Sequence, residues 1–322
     1  SEGSQLAVFE PESRLTGRPL CLATVETVAI DHAWATLDRP HPPGIGSRVT
    51  LVAAGYAEQT ATVAVDDATV RQAIATASAG QPSPFLRPLD SVADADFRVV
   101  RQDQAYLIQD AAGEQLRVEQ PPASTAGAAQ VVRLLEHLTL YRNVLRLRNL
   151  AASPALRGAI AIVDLTPKPE PDQPPAVRAG QWLAFRLHNQ SRQPLYVTVL
   201  QLKADYAIRR IYPDRAFTER IAPGAKTPAI RIQVDDPSTG TLRCKIFVTT
   251  QATSFDALTL PALNSGELHR AEAVRAGAPL AWLLNAVRRS GTRPIRPVGE
   301  GVDDQWFVEQ LEFVVLPPNP VK

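Results

Sequence analysis

Between residues 181 and 250, apolar positions recur every second residue in short runs, and polar turns interrupt the runs. The segment QWLAFRLHN carries Trp182, Phe185 and Leu187; after the turn HNQSRQP, Leu195, Val197 and Val199 alternate with Tyr196, Thr198 and Leu200. Period-two patterns rich in Val, Thr and aromatics predict antiparallel strands with a turn between them. YAIRRIYP predicts a further strand ending at Pro213, which has no N–H to give a ladder. IAPG at 221–224 reads as a turn, and AIRIQV and LRCKIFVTT add two more strands. This succession of short strands predicts a β-sandwich.

The first half mixes patterns. Residues 18–37 read as one or two strands, with Leu20, Leu22, Val25, Val28 and Ile30 as apolar positions. SRVTLVAAG and QTATVAV predict a hairpin around Gly55 and Tyr56. A short helix is expected over 66–80, with Asp66 or Asp67 as N-cap and Gly80 as the stop. QPSPFLRP reads as a Pro-broken loop. Residues 95–118 read as three strands in a meander, the last after a Gly113 turn. The strongest helical pattern covers 128–148, where Val131, Leu134, Leu135, Leu138, Tyr141 and Leu145 form one apolar stripe and Thr125 is a candidate cap. Residues 158–167 predict a strand, KPEPDQPPAVRAG a stiff Pro-rich loop, and 252–264 irregular chain. A helix is expected around Trp282 from Pro279 onward, then a closing strand anchored by Trp306, Val308, Leu311 and Phe313.

These elements predict a mainly β chain with α+β elements. The expected order is a linker or tag remnant at 1–13, a small α+β domain at 14–122 and a linking amphipathic helix at 123–150. An immunoglobulin-like antiparallel β-sandwich follows at 151–320, with a C-terminal helix and closing strand. The length of 322 residues agrees with two domains.

Composition narrows the function classes. Lys and Arg number 34 against 33 Asp and Glu, so no general charge draws the chain to nucleic acid or to an anionic membrane. No apolar run reaches the length of a membrane helix and no signal peptide is visible, so a cytoplasmic location is expected. Two cysteines, Cys21 and Cys244, exclude a disulfide scaffold and a structural zinc site. The chain has no methionine, not even at position 1; a trimmed or proteolytic piece of something longer would account for this, and so would a sequence from which modified methionines were left out.

No set of catalytic groups assembles from the sequence. Cys21, with His32 or His41 as base, lacks any motif that would bring them together, and Cys244 sits in the middle of a predicted strand. The histidines His32, His41, His137, His188 and His269 show no metal-ligand spacing. The pairs Asp66–Asp67, Asp235–Asp236 and Asp303–Asp304 all border turns, where carboxylates cap helices or solvate loops. No phosphate loop is present, and no catalytic, cofactor or metal residue is assigned. The one recognition candidate is an aromatic and basic patch of Tyr206, Arg209, Arg210, Tyr212 and Phe217, the composition of interface hot spots.

Several segments carry a family resemblance. RLLEHLTLYRNVLRLRN, HNQSRQPLYVTVLQLKADYAIRRIYP, IFVTTQATSFDALTLPAL and GTRPIRPVGEGVDDQWFVEQLEFVV, in that order, resemble the non-catalytic C-terminal region of bacterial caspase-like (metacaspase-like) cysteine proteases. GYAEQTATVAV and ADFRVVRQDQAYLIQDAAGEQL are similar to the region nearer the protease. The family's catalytic domain would carry a His-Gly motif and a Cys after an Asp; PLCLA and LRCKI match neither. The resemblance therefore implies a non-catalytic accessory or regulatory region. Its expected partners are proteins: a caspase-like protease domain in cis or in trans, or that protease's substrates. The alternative is a stand-alone sandwich module that binds carbohydrate or another surface ligand. Its mark would be solvent-facing aromatics among Trp182, Tyr196, Tyr206 and Tyr212, with Trp182 itself expected in the core.

Overall fold

A computed structural model describes residues 5–11, 20–28, 33–38, 44, 46–53, 60–77, 80, 82–83, 85–148, 155–168, 175–214, 219–234, 240–263 and 306–317. These residues are mainly β, with strands in four sheets and two α-helices. The helix expected around Trp282 lies outside the described residues.

The first sheet contains β1 (Gln5–Phe9), β2 (Cys21–Val28), β3 (Ala33–Leu37) and β4 (Arg48–Ala53), in the order β3-β2-β1-β4 and antiparallel throughout. Val8, Cys21 and Ala23, with Leu37 against them, form a small core of their own. The second sheet has the order β6-β5-β7-β8, from β5 (Ala61–Val65), β6 (Leu86–Leu89), β7 (Phe97–Gln102) and β8 (Ala105–Asp110). β5 runs parallel to both β6 and β7, so the sheet is mixed, while β7 and β8 pair antiparallel as the first two strands of the expected meander. The expected hairpin between β4 and β5 does not form, because the two strands belong to different sheets. The segment expected as a Pro-broken loop supplies β6 instead. Pro88 fits there because β6 is an edge strand and needs no N–H on its open side. The third strand of the expected meander shrinks to a bridge between Gln109 and Gln115.

Parallel neighbours need a crossover, and α1 (Ala68–Ala75) provides it between β5 and β6. Asp67 caps it by accepting from the N–H groups of Thr69 and Val70 at 2.8 and 3.2 Å. The long helix α2 (Thr125–Arg146) begins one residue after its cap, which is Ser124 rather than Thr125; the Ser124 hydroxyl accepts from the Gly127 N–H at 3.2 Å. Val131, Leu134, Leu135 and Leu138 of α2 are buried against β5, α1 and β7. Each such burial contributes roughly 1.5–3 kcal/mol. Arg142 pairs with Asp96 at 2.7 Å and lies over the Phe97 ring.

The remaining strands form two facing sheets. One has the order β15-β11-β9, from β9 (Ile160–Thr166), β11 (Trp182–Asn189) and β15 (Ile230–Gln233). The other has the order β10-β17-β16-β12-β13, from β10 (Ala176–Arg178), β12 (Leu195–Leu202), β13 (Ile208–Tyr212), β16 (Gly240–Thr249) and β17 (Trp306–Leu316). β14 (Glu219–Ile221) pairs with β12 beside it. Leu183, Phe185 and Leu187 from the small sheet meet Val197, Val199, Ile246 and Phe313 from the large one in a single core. β10, in the segment expected as a Pro-rich loop, runs parallel to β17.

β11 and β12 were expected to pair across the turn HNQSRQP, yet they lie in different sheets. The turn is a corner, and buried Asn189 holds it. Its amide donates to the carbonyls of Gln193 and Ile221, both at 2.9 Å, and its Oδ1 accepts from the Ser191 N–H and hydroxyl.

Candidate functional site

The aromatic and basic candidates divide according to strand geometry. Successive residues of a strand face opposite ways. Arg209 is exposed and pairs in register with Gln201, whereas Arg210 points to the other face and meets Asp256 at 2.8 Å. Tyr212 is 7% exposed and belongs to the core between the sheets; burial, with Glu219 nearby, pushes its phenol well above the usual range. Tyr206 stands in the turn before β13 with φ +60, edge-on to Tyr141 at 5.4 Å, and its carbonyl accepts from His137 Nε2 at 3.0 Å. Phe217 lies outside the described residues. The structure therefore places Tyr206 against α2, Tyr212 inside, and Arg209 and Arg210 on opposite faces.

The candidate nucleophiles are both buried. Cys21 lies within the small core of the first sheet. Cys244 is 0% exposed in β16, and burial pushes its thiol up to about 12, so almost none is thiolate at neutral pH. His32, His41 and His269 lie outside the described residues, as do Asp235, Asp236, Asp303 and Asp304. His137 is buried, which lowers its pKa. Among the described residues, no three His, Cys, Asp or Glu side chains come close enough to hold a metal ion, and no helix is long and apolar enough to cross a membrane.

Arg209 does line a groove. It opens at one end of the two facing sheets, where β15 ends and β16 begins, and encloses about 110 Å³. Leu202, Val234, Leu242 and Val315 give it an apolar floor, with Lys203 and Arg209 among its polar residues. Lys203 Nζ lies 3.4 Å from Asp205.

The more distinctive surface is the outer face of the small sheet. Trp182 was expected in the core, but it is 56% exposed. The phase of β11 explains this. Leu183, Phe185 and Leu187 point inward, so Trp182, Ala184, Arg186 and His188 share the opposite face. Trp182 pairs directly with Gln233, which lines the groove; Ala184 pairs with Arg231 on one side and Thr166 on the other. Asp164 bulges from β9 with φ +53 and takes both Lys226 at 3.3 Å and Arg186 at 3.7 Å. Such a face can stack on a ring or an aliphatic chain through the indole and grip carboxylates through guanidinium groups. The alternation of Leu183, Phe185 and Leu187 carried this signal in the sequence; Trp182 is out of step with it.

No family model matches the chain, and no curated protein matches it. Among solved structures, the alkylpurine DNA glycosylase AlkC of Pseudomonas fluorescens, bound to DNA containing an abasic site analog, is similar over 38% of this chain and 35% of that chain, at 15% identity and a TM-score of 0.19. The chain thus matches about a third of that protein's length, and at that TM-score the likeness defines neither a shared fold nor a shared function.

Proposed function

We propose that this chain is a non-catalytic accessory region of a caspase-like cysteine endopeptidase, which positions the protease or recruits protein partners to it. In this reading residues 151–320 are an immunoglobulin-like β-sandwich, residues 14–122 a small α+β domain, and the setting is the cytoplasm. The observation that carries it is the state of Cys244: a sulfur fixed at the centre of β16, fully buried, with burial holding the thiol protonated. The resembling segments support the same view, because they serve the frame. RLLEHLTLYRNVLRLRN spans the second half of α2, and LYVTVLQLKADYAIRRIYP spans β12 and β13. The core shared by two facing sheets supports the sandwich, with the parallel β10–β17 pairing as its departure from a purely antiparallel plan.

The test mixes the purified chain with a panel of peptide substrates, and separately with the caspase-like domain encoded in or beside its reading frame. The chain alone is expected to turn over none of the peptides, and to co-elute with that domain or change its cleavage rate. Cleavage that Cys21→Ala or Cys244→Ala abolishes would overturn the reading, as would failure to associate with the domain or alter its rate.

A further inference from the structure

The outer face of the sheet β15-β11-β9 has a regular chemical layout. Its rows run Trp182/Gln233, then Thr166/Ala184/Arg231, then Val163/Arg186, then Ala161/His188. Rows on one face of a strand lie ~7 Å apart. Trp182, Arg186, Lys226 and Arg231 are all exposed. These three cations face one described carboxylate, Asp164, while the whole chain carries a net charge of only +1. Asp164 is shared by Arg186 and Lys226, and Arg231 has no ion-pair partner among the described residues. The two middle rows carry small side chains, Ala184 in one and Val163 in the other, beside Arg231 and Arg186.

We propose that this face docks an extended acidic segment of a protein partner, with Arg231 and Arg186 holding carboxylates and Trp182 packing on an apolar residue. The inference rests on the reading of the chain as a recruiting region and specifies the chemistry of what it recruits. Three observations select this occupant. Among the described residues the charge on this face is positive, and its donors include the guanidinium groups of Arg231 and Arg186, which grip carboxylates two bonds at a time. Alternate side chains of an extended peptide repeat every ~7 Å, the same interval as the rows. An exposed Trp beside Arg is the composition that dominates protein–protein binding energy.

The test is fluorescence anisotropy on the full chain with a labelled peptide alternating Glu and Thr around one Leu. A Lys-for-Glu version, a glucuronate oligosaccharide and a single-stranded oligonucleotide serve as the other arms. The Glu peptide is expected to bind, and to weaken as salt rises. Trp182→Ala and Arg231→Glu should each weaken it at least ~10-fold, with the urea midpoint unchanged because both side chains are exposed. Arg231→Lys should restore part of the loss. Equal binding of the Lys peptide, preference for the sugar or the oligonucleotide, absence of binding, or indifference to both variants would each overturn the proposal. If the Glu peptide fails while the chain still associates with the caspase-like domain, the surface is wrong and the accessory reading survives. If the peptide binds and the domain does not, the reverse holds.

Discussion

Lys245 occupies the centre of β16, where its side chain is buried. Its Nζ donates to the carbonyl of Leu147, the residue that ends α2, at 3.0 Å. A cation is well placed at a helix C-terminus, because unsatisfied carbonyls concentrate negative charge there. Burial nevertheless dominates. It lowers the Lys245 pKa to about 8, with Arg148 adding to the effect and Glu312 opposing it. In the unfolded chain the lysine would titrate near 10.5. Between those values the unfolded state binds more protons than the folded state, so the Lys245 contribution to stability rises with pH. Its full size is up to about 3 kcal/mol. Cys244 and Tyr141, whose pKa values burial raises to about 12, act with the opposite sign at higher pH. Urea unfolding of wild type and Lys245→Met from about pH 8 to about pH 10 isolates the lysine. The wild type should gain stability relative to the variant across that window, and parallel curves would show that the amine is already neutral or well solvated.

At the scale of elements, α2 shows how a local rule yields to packing. Gly127 lies in its first turn, where Ala would favour the helix by up to ~1 kcal/mol. A Cβ at Gly127 would fall on the carbonyl of Pro122, in the segment that bridges to Ala105. Gly127→Ala is therefore expected to destabilise by about 2–4 kcal/mol, read as a lower denaturation midpoint. An unchanged or raised midpoint would mean that the Pro122 segment moves aside freely. The same tension sets what was legible in the sequence. The stripe Val131, Leu134, Leu135 and Leu138 and the alternation of Leu183, Phe185 and Leu187 in β11 reveal which side of an element is buried. They do not reveal which strand lies alongside. A hairpin turn and a corner between sheets present the same polar residues, and only buried Asn189, with four hydrogen bonds, distinguishes the corner. Pro88 concealed β6 because a Pro that excludes a central strand is tolerated at an edge. Strand phase divides the candidate site: adjacent Arg209 and Arg210 cannot share a face of one strand, while Trp182 and Arg186, four apart, do.

At the scale of the molecule, α2 belongs to two cores at once. Its first half fills the core under β5 and β7, while Val144, with Tyr141 and Leu145 beside it, packs with Leu200, Ile208, Phe247 and Trp306 on the back of the large sheet. Leu140 touches both. The turn from β12 to β13 is pinned to the helix, because the Tyr141 hydroxyl donates to the Lys203 carbonyl at 3.0 Å and His137 reaches the Tyr206 carbonyl. Leu263, buried in the core of the second sheet, donates its N–H to the Asp205 carbonyl in the same turn. Two domains joined only by a helix would unfold separately; this shared packing argues that the second sheet, α2 and the facing sheets unfold together. Leu134→Ala leaves a cavity in one core only and should cost about 2–5 kcal/mol. If the unit is cooperative, amide exchange will accelerate by the same factor in β5 and β7 as in β12 and β16. Acceleration confined to β5 and β7 would mean that the helix joins two independent domains. The first sheet, whose core of Val8, Cys21 and Ala23 is its own, should exchange ahead of the rest and at a rate Leu134→Ala leaves unchanged.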